Sequence, residues 1–395
     1  MINKTDVTML RLLADVLHNH TPDQIPPEVW PSLLQELCAH TVYALPAEYI
    51  TALGLNAKDS GDYLKGVVRN RQIFHKLMRE QKWALSLLET ADIPVVVLKG
   101  ASAAISYAHP ENRYMGDVDL LVLPRDFDKA YDTLTRAGCV PPESDSVDTR
   151  HSAMFTPGGV EIELHRHFSS SNNHEQNAVL DEMLFQAIPR RVSAELCGYP
   201  VSMLPPLENG LVLLGHINQH FSDGLGLRQI IDWMVYVEKY LDDDMWNNGF
   251  AEAAEQIGMK RLAIITTAMC RKYLGLEKDI HWDVYDPLCD KLMKNILSRG
   301  NFGRKDNLPK RRTVDILREL RNPFHGLATA QEYGLISFKA AQKHRWLRPF
   351  AWLYQLLHWF RMGLKHGITP NQFGNAAASA KAVTELIEKL SITRK

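Results

Sequence analysis

Cysteine is scarce in this sequence and never paired. Cys38, Cys139, Cys197, Cys270 and Cys289 are scattered with no C-x-x-C spacing, so neither a disulfide framework nor a zinc site is indicated. Five reduced thiols in a cytoplasmic protein are the simplest reading. Long apolar runs are missing too. None approaches the ~18–20 residues of a membrane span, and the opening MINKTDVTMLRLLADVL carries charges where a signal peptide needs an apolar core. No segment repeats at a fixed period. Net charge is almost absent, with 45 Lys+Arg against 46 Asp+Glu.

What is present is ordinary for a globular chain. Hydrophobic residues make up 45% and charged residues 23% of 395, which excludes wholesale disorder and leaves room for two or three domains. The near-zero charge hides an asymmetry. Residues 301–395 hold 17 Lys+Arg against 6 Asp+Glu, and the first 300 hold 28 against 40. Such an offset fits an anionic partner for the basic C-terminal region: nucleic acid, a lipid headgroup, or the acidic remainder of the same chain. Internal compensation is the preferred expectation.

The first ninety residues read as helical. Leu10, Leu12, Leu13 and Val16 fall at helical spacing, and Pro26, Pro27 and Pro31 punctuate the next helix. From Asp62 to about Glu89, Leu64, Val67, Val68, Phe74, Leu77, Ala84, Leu87 and Leu88 form one stripe. The character changes after Pro94. Val95 to Leu98 is a short β-branched run, read as a buried strand ended by Gly100, with a short helix over Ala101–Tyr107. Asp117 to Leu123 reads as a strand entering a covered sheet, and Arg125 to Ala137 as a helix that Gly138 caps. His151–Thr156 and Val160–His167 flank Pro157-Gly158-Gly159, a hairpin signal. The order implies an α+β protein whose small mixed sheet has helices on one face. After Pro205 and Pro206 the helical period returns, with helices expected over 207–221, 227–240, 246–257 and 260–273. Residues from about 300 read as an exposed linker, and the Ala-rich tail 375–391 as helical. Four regions follow: a helical 1–60, a mixed core 61–205, a bundle 206–300 and a basic, aromatic 301–395.

The chemistry gathers in the mixed core. On a strand, residues two apart share a face, so Asp117 and Asp119 project together, as do Glu161, Glu163, His165 and His167. Burying the apolar alternates on one set of helices leaves both groups of acids on the open face. Adjacent carboxylates repel unless a cation neutralises them, and hard oxygen ligands suit Mg²⁺ or Mn²⁺. The nearby strand–Gly–helix turn offers backbone N–H groups to phosphate. Carboxylates, a metal and a phosphate cradle together describe phosphoryl or nucleotidyl transfer.

Several stretches carry a family resemblance: Val97-Leu98-Lys99-Gly100, Tyr107 and Arg113 ahead of Asp117-Val118-Asp119-Leu120-Leu121-Val122, and Glu163-Leu164-His165. Leu213-Leu214-Gly215-His216 through His220, and Leu227-Arg228 with Asp232, continue it. Over roughly residues 60–290 the chain resembles the uncharacterised nucleotidyltransferases of the DNA polymerase β-like superfamily. That resemblance implies a polymerase β-like core, two Mg²⁺ ions held by Asp117, Asp119 and a third carboxylate, and a triphosphate held at the Gly100 turn. The third carboxylate is Glu161 or Glu163; the acid–apolar–His pattern of the family favours Glu163. The turn departs from the superfamily pattern, since Ala101 separates Gly100 from Ser102.

The expected reaction is metal-dependent transfer of a nucleoside monophosphate from an NTP to an acceptor, small molecule, protein or RNA, with pyrophosphate released. Asp117, Asp119 and Glu163 are the expected catalytic metal ligands; Lys99, Gly100, Ser102 and Arg113 are the expected phosphate contacts. Arg113 is alternatively an ion-pair partner of Asp117 or Glu163. His165 either orients a carboxylate, joins the acceptor site or is a sheet histidine. His216 and His220 are read as structural, with Asp232 a candidate partner, and Arg228 with Asp232 as a helix pair. Trp346 to Phe360 is a basic aromatic helix, with Gln355, His358 and Arg361 on a polar stripe and Trp352, Leu356, Trp359 and Phe360 on an apolar one. A core position is preferred for it over a membrane or RNA surface. The rivals to the enzyme are a non-catalytic nucleotide- or nucleic-acid-binding scaffold and a membrane-peripheral enzyme acting on a lipid-linked or glycan substrate.

Overall fold

Asparagine side chains start two of the helices. Asn3 accepts from the Asp6 amide at 2.8 Å and opens α1, Lys4–Leu17. Asn56 does the same for Asp59 at 2.9 Å and opens α3, Ala57–Thr90, with α2, Trp30–Ala39, between them. This computed structural model describes residues 2–142, 151–169, 175–221 and 224–305, with scattered positions between 331 and 390. It divides into two compact units, one of Met1–Phe302 with Leu390–Lys395 and one of Gly303–Lys389.

Helix α3 starts five residues before the expected Asp62, and its buried stripe is narrower than the sequence suggests. Val67, Phe74, Leu77, Ala84 and Leu88 are buried, whereas Leu64 and Val68 face solvent. The stripe lies under a four-stranded sheet: β1 Val95–Leu98, β2 Val118–Val122, β3 His151–Phe155 and β4 Glu161–His165, in the order β1-β2-β4-β3. β2 and β4 run parallel, and the outer pairings are antiparallel. Helix α4, Gly100–Ala104, follows β1, and α5, Phe127–Arg136, follows β2. Val118, Leu120, Val122, Ile162, Leu164 and Met154 form one core with α3 and α5. The 157–159 turn closes through Gly159 N–H to the Thr156 carbonyl, 2.8 Å.

The other face of the sheet departs from expectation: it is partly covered, with Glu161 and Glu163 still half-buried. Val96, Leu98 and Leu121 alternate onto the carboxylate side and are as buried as the core residues, and Asp119 is 2% exposed. The sequence reading leaves two elements unassigned: α6, Glu175–Ala187, and a hairpin of β5, Val192–Leu196, and β6, Tyr199–Met203, whose Leu196, Val201 and Met203 join the core on the α3 side. The Ser202 hydroxyl donates to the Val95 carbonyl at 2.7 Å, so β6 docks beside β1.

The bundle begins with α7, Pro206–His220, and α8, Leu227–Lys239. They pack closely because a Cβ on Gly210 would stand 2.3 Å from the Tyr236 hydroxyl, which donates to the Pro206 carbonyl. The single helix expected over 246–257 is broken into α9, Asp243–Met245, a wide turn at Trp246–Phe250, and α10, Ala251–Gln256. Gly249, at φ 156°, leaves helical geometry there. Helix α11, Lys260–Leu274, and the unforeseen α12, Leu288–Arg299, complete the unit, α11 packing on α1. The start of the expected exposed linker is anchored: Asn301 is buried and its Oδ1 accepts from Gln229 at 2.9 Å.

In the second unit a tight turn over Arg345–Phe350 leads into helical positions at 351–355. Gln355 is buried there, while Trp346, Phe350, Leu353 and Leu357 are exposed. The polar stripe expected through Gln355 is therefore not the solvent-facing one. Leu356, Trp359, Phe360, Arg361 and most of the tail 375–391 lie outside the described residues. Among the described residues, no helix is long and apolar enough to cross a membrane.

Candidate functional site

Strand register sets which acids meet. Asp119 of β2 stands directly opposite Glu163 of β4, while Glu161 stands opposite Phe155 of β3. His165 lies two residues past Glu163 on the same face, and its Nε2 is 3.0 Å from Asp119 Oδ1 and 3.3 Å from Glu163 Oε2. His151 stands across from His165 in β3, 3.8 Å from the other Glu163 oxygen. The ligand atoms of Asp119, Glu163 and His165 all lie within 4.8 Å of one another. Asp117 sits just before β2, half-buried, on the same side. The structure thus brings Asp119 and Glu163 together, adds His165 to them, and leaves Glu161 at the margin.

The β1–α4 turn is strained. Lys99 has φ 41° and ψ −139°, a region L side chains rarely enter, and Gly100 follows at φ 38°. A Cβ on Gly100 would meet Met115 Cε at 3.5 Å and the Asp117 carbonyl at 4.0 Å, so the turn abuts the acids. Lys99 Nζ reaches 2.8 Å from Asp119 Oδ1. An ammonium and an imidazole therefore relieve part of the repulsion at Asp119 and Glu163 without a metal. Burial works against charge on Asp119, but Lys99 and His165 outweigh it and hold its carboxyl below the ordinary range. For Asp117 the charges of Lys99 and Arg228 do not suffice. The adjacent Asp119 charge and then burial push its carboxyl up to about 6. Burial works against charge on Lys99 and His165 as well, and the acids nevertheless raise the pKa of both.

Two expected phosphate contacts are engaged elsewhere. The Ser102 hydroxyl is fully buried and donates to the Lys99 carbonyl at 2.8 Å. Arg113 pairs with neither Asp117 nor Glu163. It donates from Nε and Nη2 to the two oxygens of Asp232, each at 2.6 Å, and Tyr107 donates to the same carboxylate at 2.7 Å. That fork is satisfied and 1% exposed, so it presents no free edge to a ligand. Asp232 consequently bonds to neither His216 nor Arg228 as the sequence suggests; the guanidinium from the loop before β2 displaces both. His216 and His220 meet ring edge to face, centroids 4.5 Å apart. Burial and then the His220 charge keep the His216 pKa well below its ordinary value.

Two carboxylates and an imidazole whose ligand atoms lie within 4.8 Å of one another, with a third carboxylate alongside, fit a divalent cation. A sheet that presents acids from adjacent parallel strands beside a strand–Gly–helix turn is the arrangement of a nucleotidyltransferase. The chain belongs to the uncharacterised nucleotidyltransferase family, whose model matches residues 26–275. It is also similar to the crystal structure of an antigenic nucleotidyltransferase-like protein from Paracoccidioides brasiliensis, at 14% identity and a TM-score of 0.31 over 51% of this chain and 94% of that one. No curated protein matches the sequence.

Proposed function

We propose that the protein transfers a nucleoside monophosphate from an NTP to an acceptor in a metal-dependent reaction. The observation that carries this is the convergence of Asp119, Glu163 and His165 across the β2–β4 register. Asp117, Asp119 and Glu163 would hold Mg²⁺ or Mn²⁺, which when bound neutralises the phosphate charge that builds up during transfer. The chain's own residues do the rest. The Gly100 turn lies against the backbone of Asp117, which would put phosphates held there beside the carboxylates. His165, bonded to Asp119 and Glu163, keeps the two acids in fixed register. The acceptor oxygen forms a bond to the α-phosphorus as the bond to the bridging oxygen breaks, and pyrophosphate leaves. Working boundaries of 61–205 for the transfer core and 206–300 for the helical bundle accompany this reading, with helices on either side of the core forming the acceptor cleft.

Incubation with each α-labelled NTP and Mg²⁺, with and without cell RNA, protein or small-molecule fractions, tests it. Label is expected in one acceptor fraction only, and its transfer should vanish with chelator. The Lys99–Asp119 pair favours a second reading, a nucleotide-binding protein without catalysis, because it stabilises the acids with no metal. NTP binding without label in any fraction supports that second reading and ends the first.

A further inference from the structure

Arg228 stands in the first turn of α8, four residues before Asp232, a spacing that ordinarily pairs the two. They are not paired. Arg113 covers both Asp232 oxygens, and Tyr107 adds a third donor. Among the described residues Arg228 forms no hydrogen bond or ion pair, and its Nε is closed off from solvent with no acceptor. A guanidinium offers five donors and keeps its charge at any working pH. Arg228 as a whole is only partly buried, so the loss falls on its Nε–H, withdrawn from water without an acceptor, and an anion placed against it would reverse that loss. Burial and then the like charge of Arg113 hold the Arg228 pKa below the ordinary arginine value.

Its neighbours indicate where that anion belongs. Helix α8 packs on α4, the short helix that opens at the Lys99–Gly100 turn, so Arg228 and the acids stand on neighbouring elements; the positive charge of Arg228 acts on the Asp117 carboxyl, yet no bond joins them. Lys99 is committed to Asp119, and Arg113 to Asp232. Among the described residues around the acids, Arg228 is therefore the arginine left over. An anion with several oxygens can lie against the guanidinium fork while remaining beside the acids, and the fork geometry matches phosphate.

We infer that Arg228 binds the phosphate chain of the nucleotide from the start of α8. The inference rests on the nucleotidyl-transfer reading and names the residue that recognises the triphosphate, a task Arg113 and Ser102 are too engaged to perform.

Calorimetric titration of the full chain with each of the four NTPs and with inorganic tripolyphosphate, in EDTA and again with Mg²⁺, tests it. Arg228→Gln is expected to weaken both tripolyphosphate and the preferred NTP by ~10-fold or more. Arg228→Lys should fall between, since an ammonium keeps the charge but cannot fork. The melting temperature of Arg228→Gln should be unchanged or higher, because an unpartnered charge has been removed. Equal NTP affinity in the wild type and both variants overturns the inference and leaves nucleotidyl transfer standing. A wild type that binds neither NTP nor tripolyphosphate overturns both. A lowered melting temperature in Arg228→Gln, with Arg228→Lys binding as the wild type does, assigns Arg228 a structural role and overturns the inference alone.

Discussion

Asp119 and Asp232 are buried almost equally, at 2% and 1% exposure, and each has an acquired cation, yet their surroundings differ in kind. Asp232 sits in a closed account of charge: one carboxylate, one guanidinium forked onto both oxygens, one phenol. Asp119 sits in an open one. Lys99 and His165 converge on a single oxygen, and Glu163 and Asp117 crowd the same side. A balanced cluster locks the loop before β2 onto α8 and has no capacity left for a ligand. A cluster with more acids than cations retains an appetite for positive charge. Burial alone does not separate a structural ion pair from a reactive one; the count of unmatched charges does.

The sharpest way to break the balanced cluster is Asp232→Asn. It strands Arg113 in the interior, and a loss of about 3–5 kcal/mol in unfolding free energy is expected, measured by denaturant titration. Burial works against the charge of Asp232, but Arg113 overrides it and lowers the folded-state pKa. The stabilisation by Asp232 is therefore complete at neutral pH, above the unfolded pKa of about 3.9, and is lost as pH falls through the lower folded value. The stability gap between wild type and Asp232→Asn should accordingly shrink below about pH 4. A gap constant with pH would mean that the charge of Asp232 is not what matters.

The unbalanced cluster should respond in activity instead. Glu163→Gln is expected to lower turnover by ~10²-fold or more, and Glu161→Gln by far less. Steady-state label transfer with saturating NTP compares them, and the reverse ranking would transfer the role to Glu161. The smallest effect belongs to Asp117→Asn. Removing the acid that Asp119 repels should raise the metal-free melting temperature by ~2 °C, whereas Asp119→Asn should lower it by leaving Lys99 without its partner. A drop in both variants would show that Asp117 contributes to the fold.

Much of the first unit is legible because local rules and global packing agree there. The β-branched run at Val95–Leu98 and the Pro157-Gly158-Gly159 turn announce strands, and alternation alone places Asp119, Glu163 and His165 on one face. What escapes the sequence is non-local. Arg113 and Asp232 are 119 residues apart, and no spacing rule connects them. A local i, i+4 rule instead assigns Asp232 to Arg228, and the longer reach wins because its fork occupies both oxygens. The β5–β6 hairpin is hidden because its turn is Cys197-Gly198, at φ 50° and 81°, and its first strand is mostly exposed. The partial cover of the carboxylate face is equally unreadable, since α8 comes back to α4 from a distant part of the chain.

The turn between β3 and β4 has a bearing on which insertions and deletions the chain tolerates. Its closure from Thr156 to Val160 fixes the parity of β4, sending Ile162 and Leu164 to the core and Glu163 and His165 to the acids. Adding one residue between that closure and Glu161, with the strand pairing kept, would exchange the two sets: carboxylates would enter the hydrocarbon interior, and isoleucine and leucine would line the site. Adding two would restore the alternation with every side chain displaced by one pleat. Loop length here is therefore under odd–even selection, and a neutral-looking surface turn is as constrained as the acids it positions.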